Sequence, residues 1–398
     1  MRREKSFLFL LFKKEGLSFF LLALLTGGAL HGARAAAFIP ANDDMVLEQL
    51  PDARDAESRD LRDKHHALAA DPHNLKLALA VARGDLDRSR ALADPRFLGR
   101  AEAALAPWPE GPDTPQEVRL LRAIALQSNH DFVESLRQLG EVIAARPGMA
   151  QAWLTRASIE QVQANYPAAL ADCGQFANLI LGLAPDTCTA GIMALRGQAP
   201  RALKALSLSL AQNATEPAPT RLWALTLQAE IADRLGDPQA PSLYQAALAV
   251  DPTDPYLLGA WSDWLLDHGR APEVASLLAG YTRADPLLLR LAEAEQALGR
   301  PEAAGHIAEL RDRFEAAHLR GEVVHRREEA RFTLHLLHRP AEALALAIAN
   351  WGVQREPADA RILAEASAAA GKPEAAAPVA AWMRDNHVQF AALAGVLK

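Results

Sequence analysis

The 398-residue chain has two cysteines, 6% aromatic residues and little Val, Ile or Thr. So few β-branched and aromatic side chains exclude a large sheet. Ala, Leu and Arg take their place, and these lose little side-chain freedom in a helix. An excess of positive charge is also missing. Lys and Arg total 42 against 49 Asp and Glu, for a formal net charge of −7. That balance argues against a nucleic-acid partner, which requires a basic face. Beyond the N-terminal region, no apolar run approaches the roughly 20 residues of a membrane-spanning helix. The catalytic signatures Gly-x-Ser-x-Gly, His-Glu-x-x-His, Cys-x-x-Cys and the phosphate-binding loop are absent, as is a calcium loop. These absences remove the sharp enzyme hypotheses and imply no cofactor.

The first residues stand apart. "MRREKSFLFLLFKKEG" is basic and partly apolar, "LSFFLLALLTGGAL" (17–30) is uncharged, and "HGARAAAF" offers small residues in Ala-x-Ala spacing. A basic start, a short apolar stretch and a small-residue cleavage site read as a secretory signal peptide over residues 1–37. The alternative is an uncleaved anchor. A polar lead-in follows over 38–57, then a single domain over 58–398. The Ala/Leu/Arg-rich composition with this leader points to a bacterial protein exported to the periplasm. An oxidising compartment permits a disulfide between Cys173 and Cys188. The alternative is two small buried hydrophobes.

The chain repeats one small motif: "RLGDPQA" (234–240), "HGRAPEV" (268–274), "LGRPEAA" (298–304), "LHRPAEA" (337–343) and "AGKPEAA" (370–376). Taking Pro167, Pro200, Pro238, Pro272, Pro301, Pro340 and Pro373 as markers, the steps run from 29 to 39 residues and average about 34. A second marker falls out of phase, at Pro147, Pro185, Pro252 and Pro286. Runs with helical periodicity lie between the two. Gly just after a helix and Pro in the first turn of the next are the expected punctuation. Each unit therefore reads as helix, tight turn, helix, looser turn.

In these features the sequence resembles the tetratricopeptide repeat family, whose 34-residue unit carries an aromatic, small residues, a mid-repeat Gly and a closing Pro. The unit at 150–183 has Trp153, Ala157, Tyr166 and Ala169 at matching offsets, and the unit at 255–288 has Ser262, Gly269, Leu278 and Asp285-Pro286. The next unit has Leu288, Leu291, Ala292, Gly299 and Ala304. Several linkers depart from the pattern by four or five residues. The resemblance implies an all-α, right-handed superhelical solenoid of antiparallel helix hairpins, about eight to ten in number. A lone hairpin leaves its apolar face uncovered, and stacking covers it.

The family register also implies a concave groove. It places Gln151, Ser158 and Gln161, then Tyr256 and Asp263, Glu293, His325, Glu328, Phe332 and His335, and Arg361 with Glu365 along that groove. Such a mixed surface suits an extended or helical peptide. The expected role is a non-enzymatic scaffold or adaptor holding a protein or peptide partner. One alternative is an enzyme or accessory protein of cell-envelope polysaccharide or peptidoglycan work. It needs a convergent acid/base pair, for which Asp263 and Glu293 are the candidates. Another is a metal-delivery protein using His325, His335 and His338, although the same helix reads equally well as a solvated face laced with i,i+3 and i,i+4 ion pairs. Trp261 and Trp264 read as core, and Trp108 as loop packing.

Overall fold

The computed structural model describes residues 56–319 and 326–396. The proposed signal peptide and most of the lead-in lie outside the described residues, as does His325. Helix α1 (Ala56–Ala70) leads into nine hairpins among the described residues. The first four are α2 (Leu75–Leu92) with α3 (Arg96–Leu105), α4 (Gln116–Ser128) with α5 (Phe132–Ala145), α6 (Ala150–Val162) with α7 (Tyr166–Leu179), and α8 (Leu183–Ala194) with α9 (Ala199–Gln212). Next come α10 (Ala218–Leu235) with α11 (Ala240–Leu248), α12 (Pro255–Asp267) with α13 (Ala271–Leu277), and α14 (Asp285–Ala297) with α15 (Glu302–Leu319). The last two are α16 (Arg326–Arg331) with α17 (Pro340–Trp351), and α18 (Pro357–Ala369) with α19 (Ala377–Asn386). The described chain contains no strand. It is a tetratricopeptide-like helical solenoid.

The recurrent motif has a backbone cause. Each of the nine turns within a hairpin holds one residue in the left-handed region: Ala93, His130, Ala164, Gly197, Gly236, Gly269, Gly299, His338 and Gly371, with φ between 47° and 70°. That residue ends the first helix by letting its own N–H, or the next one, bond back to the last-turn carbonyls. Five of the nine are Gly, which has no Cβ to clash there. At the other four a side chain accepts a cost of roughly 1–2 kcal/mol. Pro then opens the second helix of most hairpins, in the first turn where no N–H is needed.

Small residues sit where neighbouring helices meet: Ala157, Ser262 and Ala292 are all essentially inaccessible. Trp261 and Trp264 are buried and stacked at 5.0 Å, and Trp108 packs against the N-terminal core. The solenoid does not end in an open groove. Its last hairpin returns to the third and fourth, so that one apolar core joins Tyr166, Phe176 and Ile192 with Trp351, Leu363 and Trp382. Two polar contacts fix this seam. The Trp382 indole N–H donates to the buried Tyr166 hydroxyl at 2.8 Å, and the Arg355 amide donates to the Val162 carbonyl at 2.8 Å. The far end of α2 also crosses over, with Ala93 packed on the core built around α12 and α14. Closure turns the expected groove into a chamber.

Cys173 on α7 and Cys188 on α8 form a disulfide, closing a 15-residue separation beside the seam. In the chain-entropy description such a loop contributes about 3 kcal/mol. Replacing both cysteines by Ala is expected to lower stability by about that amount, read as a lower urea midpoint. Reductant should lower the midpoint of the parent protein and leave that of the variant unchanged.

Candidate functional site

The first helices of the hairpins face inward and enclose a cavity of about 1490 Å³. This exceeds the ~300–1,000 Å³ of ordinary small-molecule pockets. Tyr256 on its wall is 42% exposed, so the chamber is reachable from solvent. Its two sides differ. From Leu154 through Leu227, supplied by α6, α8 and the first part of α10, no residue reaching the chamber carries a charge. Leu154, Leu195, Leu222, Trp223 and Leu227 dominate that wall. From Glu230 onward the wall becomes ionic.

The ionic wall is built from helix-to-helix pairs. Asp263 on α12 accepts from Arg290 on α14 at 2.6 Å and from Arg331 on α16 at 2.6 Å. Arg331 continues to Glu293 through a two-pronged contact at 2.8 and 2.6 Å. Burial opposes ionisation of Asp263, but Arg290 and Arg331 outweigh it and hold the carboxyl well below the usual carboxylate range. Arg361 on α18 clamps Asp267 with two contacts at 2.5 Å and Glu365 at 2.7 Å. His335 meets the other Glu365 oxygen at 3.2 Å. Against burial, His335 and Arg361 pull the Glu365 carboxyl down to about 2. Arg327 bonds Glu328 and Glu356 at 3.0 Å each and approaches Asp359 at 3.4 Å. Asp359 is fully buried and caps α18 by accepting the Glu356 amide at 2.8 Å. Burial pushes both the Glu356 and Asp359 carboxyls upward.

Eight residues named from the family register reach the chamber: Ser158, Gln161, Tyr256, Asp263, Glu328, His335, Arg361 and Glu365. Gln151 does not; its amide donates to Thr155 Oγ1 at 3.2 Å in the first turn of α6. Glu293 sits behind the wall, held by Arg331. Phe332 is 2% exposed and packs on Phe314 at 5.3 Å, so no partner touches it. A π-helical turn begins at this residue and runs over Phe332–Leu336. Arg331, one residue earlier, lines the chamber instead. Asp263 and Glu293 do converge, but on the shared guanidinium of Arg331. Arg290 and Arg331 hold Asp263 ionised, so it offers no proton as a general acid. His335 is engaged by Glu365, and His338 by Gln296 at 3.1 Å. Among the described residues, no three His, Cys, Asp or Glu side chains gather as metal ligands.

Register counting passed over α10. Glu230 and Asp263 are 33 residues apart, one repeat, and both face inward. That offset was available in the sequence. Glu230 accepts the Tyr256 hydroxyl at 2.6 Å. The side chain of Asp233, one turn further, makes no hydrogen bond or salt bridge among the described residues. Burial, reinforced by the nearby Asp267 charge, pushes the Asp233 carboxyl up to about 6.

Two expectations follow. Removing Arg331 as Arg331→Met leaves Glu293, which is nearly buried, without its cation. The loss should be about 3 kcal/mol near pH 7, and it should shrink on acidification as the orphaned carboxylate takes a proton. Asp233 works in the opposite sense. Its folded-state pKa lies above the ordinary 3.8, so the folded protein binds more protons than the unfolded chain between about pH 4 and 6, and stability falls as pH rises through that window. Asp233→Asn should therefore stabilise the protein at pH 7.5 by about 1–3 kcal/mol, with no gain at pH 4. Thermal unfolding at the two pH values reads both effects.

No family model matches the sequence, and no curated protein matches it. Solved structures do. The chain is similar to PilW, a type IV pilus biogenesis factor, at 18% identity and a TM-score of 0.40, over 50% of this chain and 94% of that one. It is similar to human IFIT1 in a dimer with PPP-AAAA, at 12% identity and a TM-score of 0.43, over 83% and 95%. Yeast Tom70 follows at 12% identity and a TM-score of 0.39, over 84% and 82%. At these identities the likeness is one of fold.

Proposed function

We propose that the protein is an exported scaffold or adaptor that holds a segment of a protein partner inside its central chamber. The observation that carries this reading is the chamber itself. It has about 1490 Å³ of space, apolar along α6, α8 and the first part of α10 and ionic from Glu230 onward. A pocket for a small metabolite is smaller and more closely fitted. A peptide presents apolar side chains and backbone polar groups together, which such a two-sided wall accommodates. The ion-paired wall supports binding rather than chemistry, because its carboxylates on α12 and α14 are spent on arginines. Export to the periplasm is supported by the leader-like first residues and by the disulfide, since disulfides persist in oxidising compartments.

A photo-crosslinking amino acid placed at Gln161, on the chamber wall, and separately at Arg201, exposed on α9, tests the reading in a periplasmic extract. The expected result is a discrete protein adduct from position 161 and none from position 201. Adducts of equal yield from both positions, or from 201 alone, would overturn it.

A further inference from the structure

The chamber wall is not neutral. The described residues that line it include thirteen Asp or Glu and nine Arg, with no Lys. The arginines are largely committed. Arg290, Arg313, Arg327, Arg331 and Arg361 each hold at least one carboxylate within 3.0 Å. The uncommitted acids cluster on α10. Glu230 has only the Tyr256 hydroxyl as a hydrogen-bond partner, and Asp233 has none among the described residues. The two are one helical turn apart and share a face. Arg234 also lines the chamber, and its charge acts on both. The residue is 9% exposed, its buried Nε has no acceptor, and its side chain makes no hydrogen bond among the described residues. Unmet acceptors and an unmet buried donor thus meet at one place on the wall.

The same helix carries the apolar half of the wall. Leu222, Trp223 and Leu227 precede Glu230 and Asp233 along α10. From Trp223 to the acidic pair the helix rises by about 10–15 Å. In an extended peptide that span is about three to five residues.

We propose that this wall receives a basic, amphipathic segment of the partner, with a large apolar side chain against Leu222, Trp223 and Leu227, and a Lys or Arg side chain against Glu230 and Asp233. The proposal rests on the reading of the chamber as a partner site and gives that partner its chemistry. Tyr256 beside Glu230 adds an aromatic face for the cation, and Arg234 supplies a donor for a peptide carbonyl. The sign follows from the committed arginines: an acidic segment meets cations already neutralised by their carboxylates. A cation delivered to Asp233 stabilises the ionised carboxylate against the burial that raises its pKa. The groups acting on Asp233 are Glu230, Arg234, Asp267 and Arg361. Of these, Asp267 and Arg361 neutralise each other.

The test is selection of random 12-residue peptides displayed on phage against the full chain, followed by anisotropy titrations of individual peptides with the parent protein and with Glu230→Gln/Asp233→Asn. Circular dichroism verifies that the variants are folded. Expected are peptides with Lys or Arg three to five positions from Leu, Ile, Phe or Trp. Their affinity should drop at least tenfold in the double variant, weaken with salt, and weaken from pH 7.5 to pH 5 as Asp233 takes a proton. Peptides of acidic or neutral composition that lose binding with Gln161→Trp, which adds bulk on the chamber wall, but not with the charge variant would overturn the basic chemistry and leave the chamber reading standing. Selected peptides indifferent to both variants, or no selected peptide at all, would overturn both.

Discussion

Two short antiparallel helices have more apolar surface than they cover between them, and the uncovered face has to meet another hairpin. In this chain nine hairpins meet in sequence, and the need is still unsatisfied at the two ends of the run. At the C-terminal end the eighth and ninth hairpins meet it by returning to the third, through the core that joins Tyr166 and Phe176 to Trp351 and Trp382. Burial of side chains of this size is worth roughly 1.5–3 kcal/mol each. The seam is therefore a structural joint, and the Trp382–Tyr166 hydrogen bond within it leaves the indole N–H satisfied where no water reaches.

Closure changes what the inner face is. In an open groove, an ion pair such as Arg361–Asp267 is a screened surface contact of small consequence. Inside a chamber walled on the opposite side by Leu154, Leu195 and Trp223, water is scarcer and each charge requires a partner. The arginines of α14, α16 and α18 meet that requirement for Asp263, Glu293, Asp267 and Glu365. On α10 the requirement is left open at Asp233. A buried carboxylate without a cation destabilises its own fold, and such residues mark sites where stability has been exchanged for recognition.

The repeat, the hairpin, the turn and the small residues at helix crossings were all legible in the sequence, because each is a local demand. A left-handed residue between helices is written as Gly at five of nine turns, and a Pro in the next first turn is written beside it. Even the four non-glycine turns fell into the same phase through their neighbours. Inner-face residues were legible wherever the helix kept its ordinary pitch, as for Tyr256 and Asp263 on α12 or Arg361 and Glu365 on α18. They were misplaced at Phe332, which packs in the core against Phe314 where a π turn begins, and overlooked at Glu230 and Asp233, which stand out only once they are seen to lack a cation bonded to them.

What the sequence determined by itself is thus a solenoid of helical hairpins with a defined inner face, since period, capping and apolar spacing act over a few residues. What only the tertiary structure decided is that the inner face surrounds a chamber, that Asp263 and Glu293 share Arg331, and that the Asp233 side chain has no ion-pair or hydrogen-bond partner among the described residues. Tyr166 and Trp382 are 216 residues apart, and Asp263 and Arg331 are 68 apart. Contacts over such separations depend on the accumulated curvature of every hairpin between them, which no local pattern records.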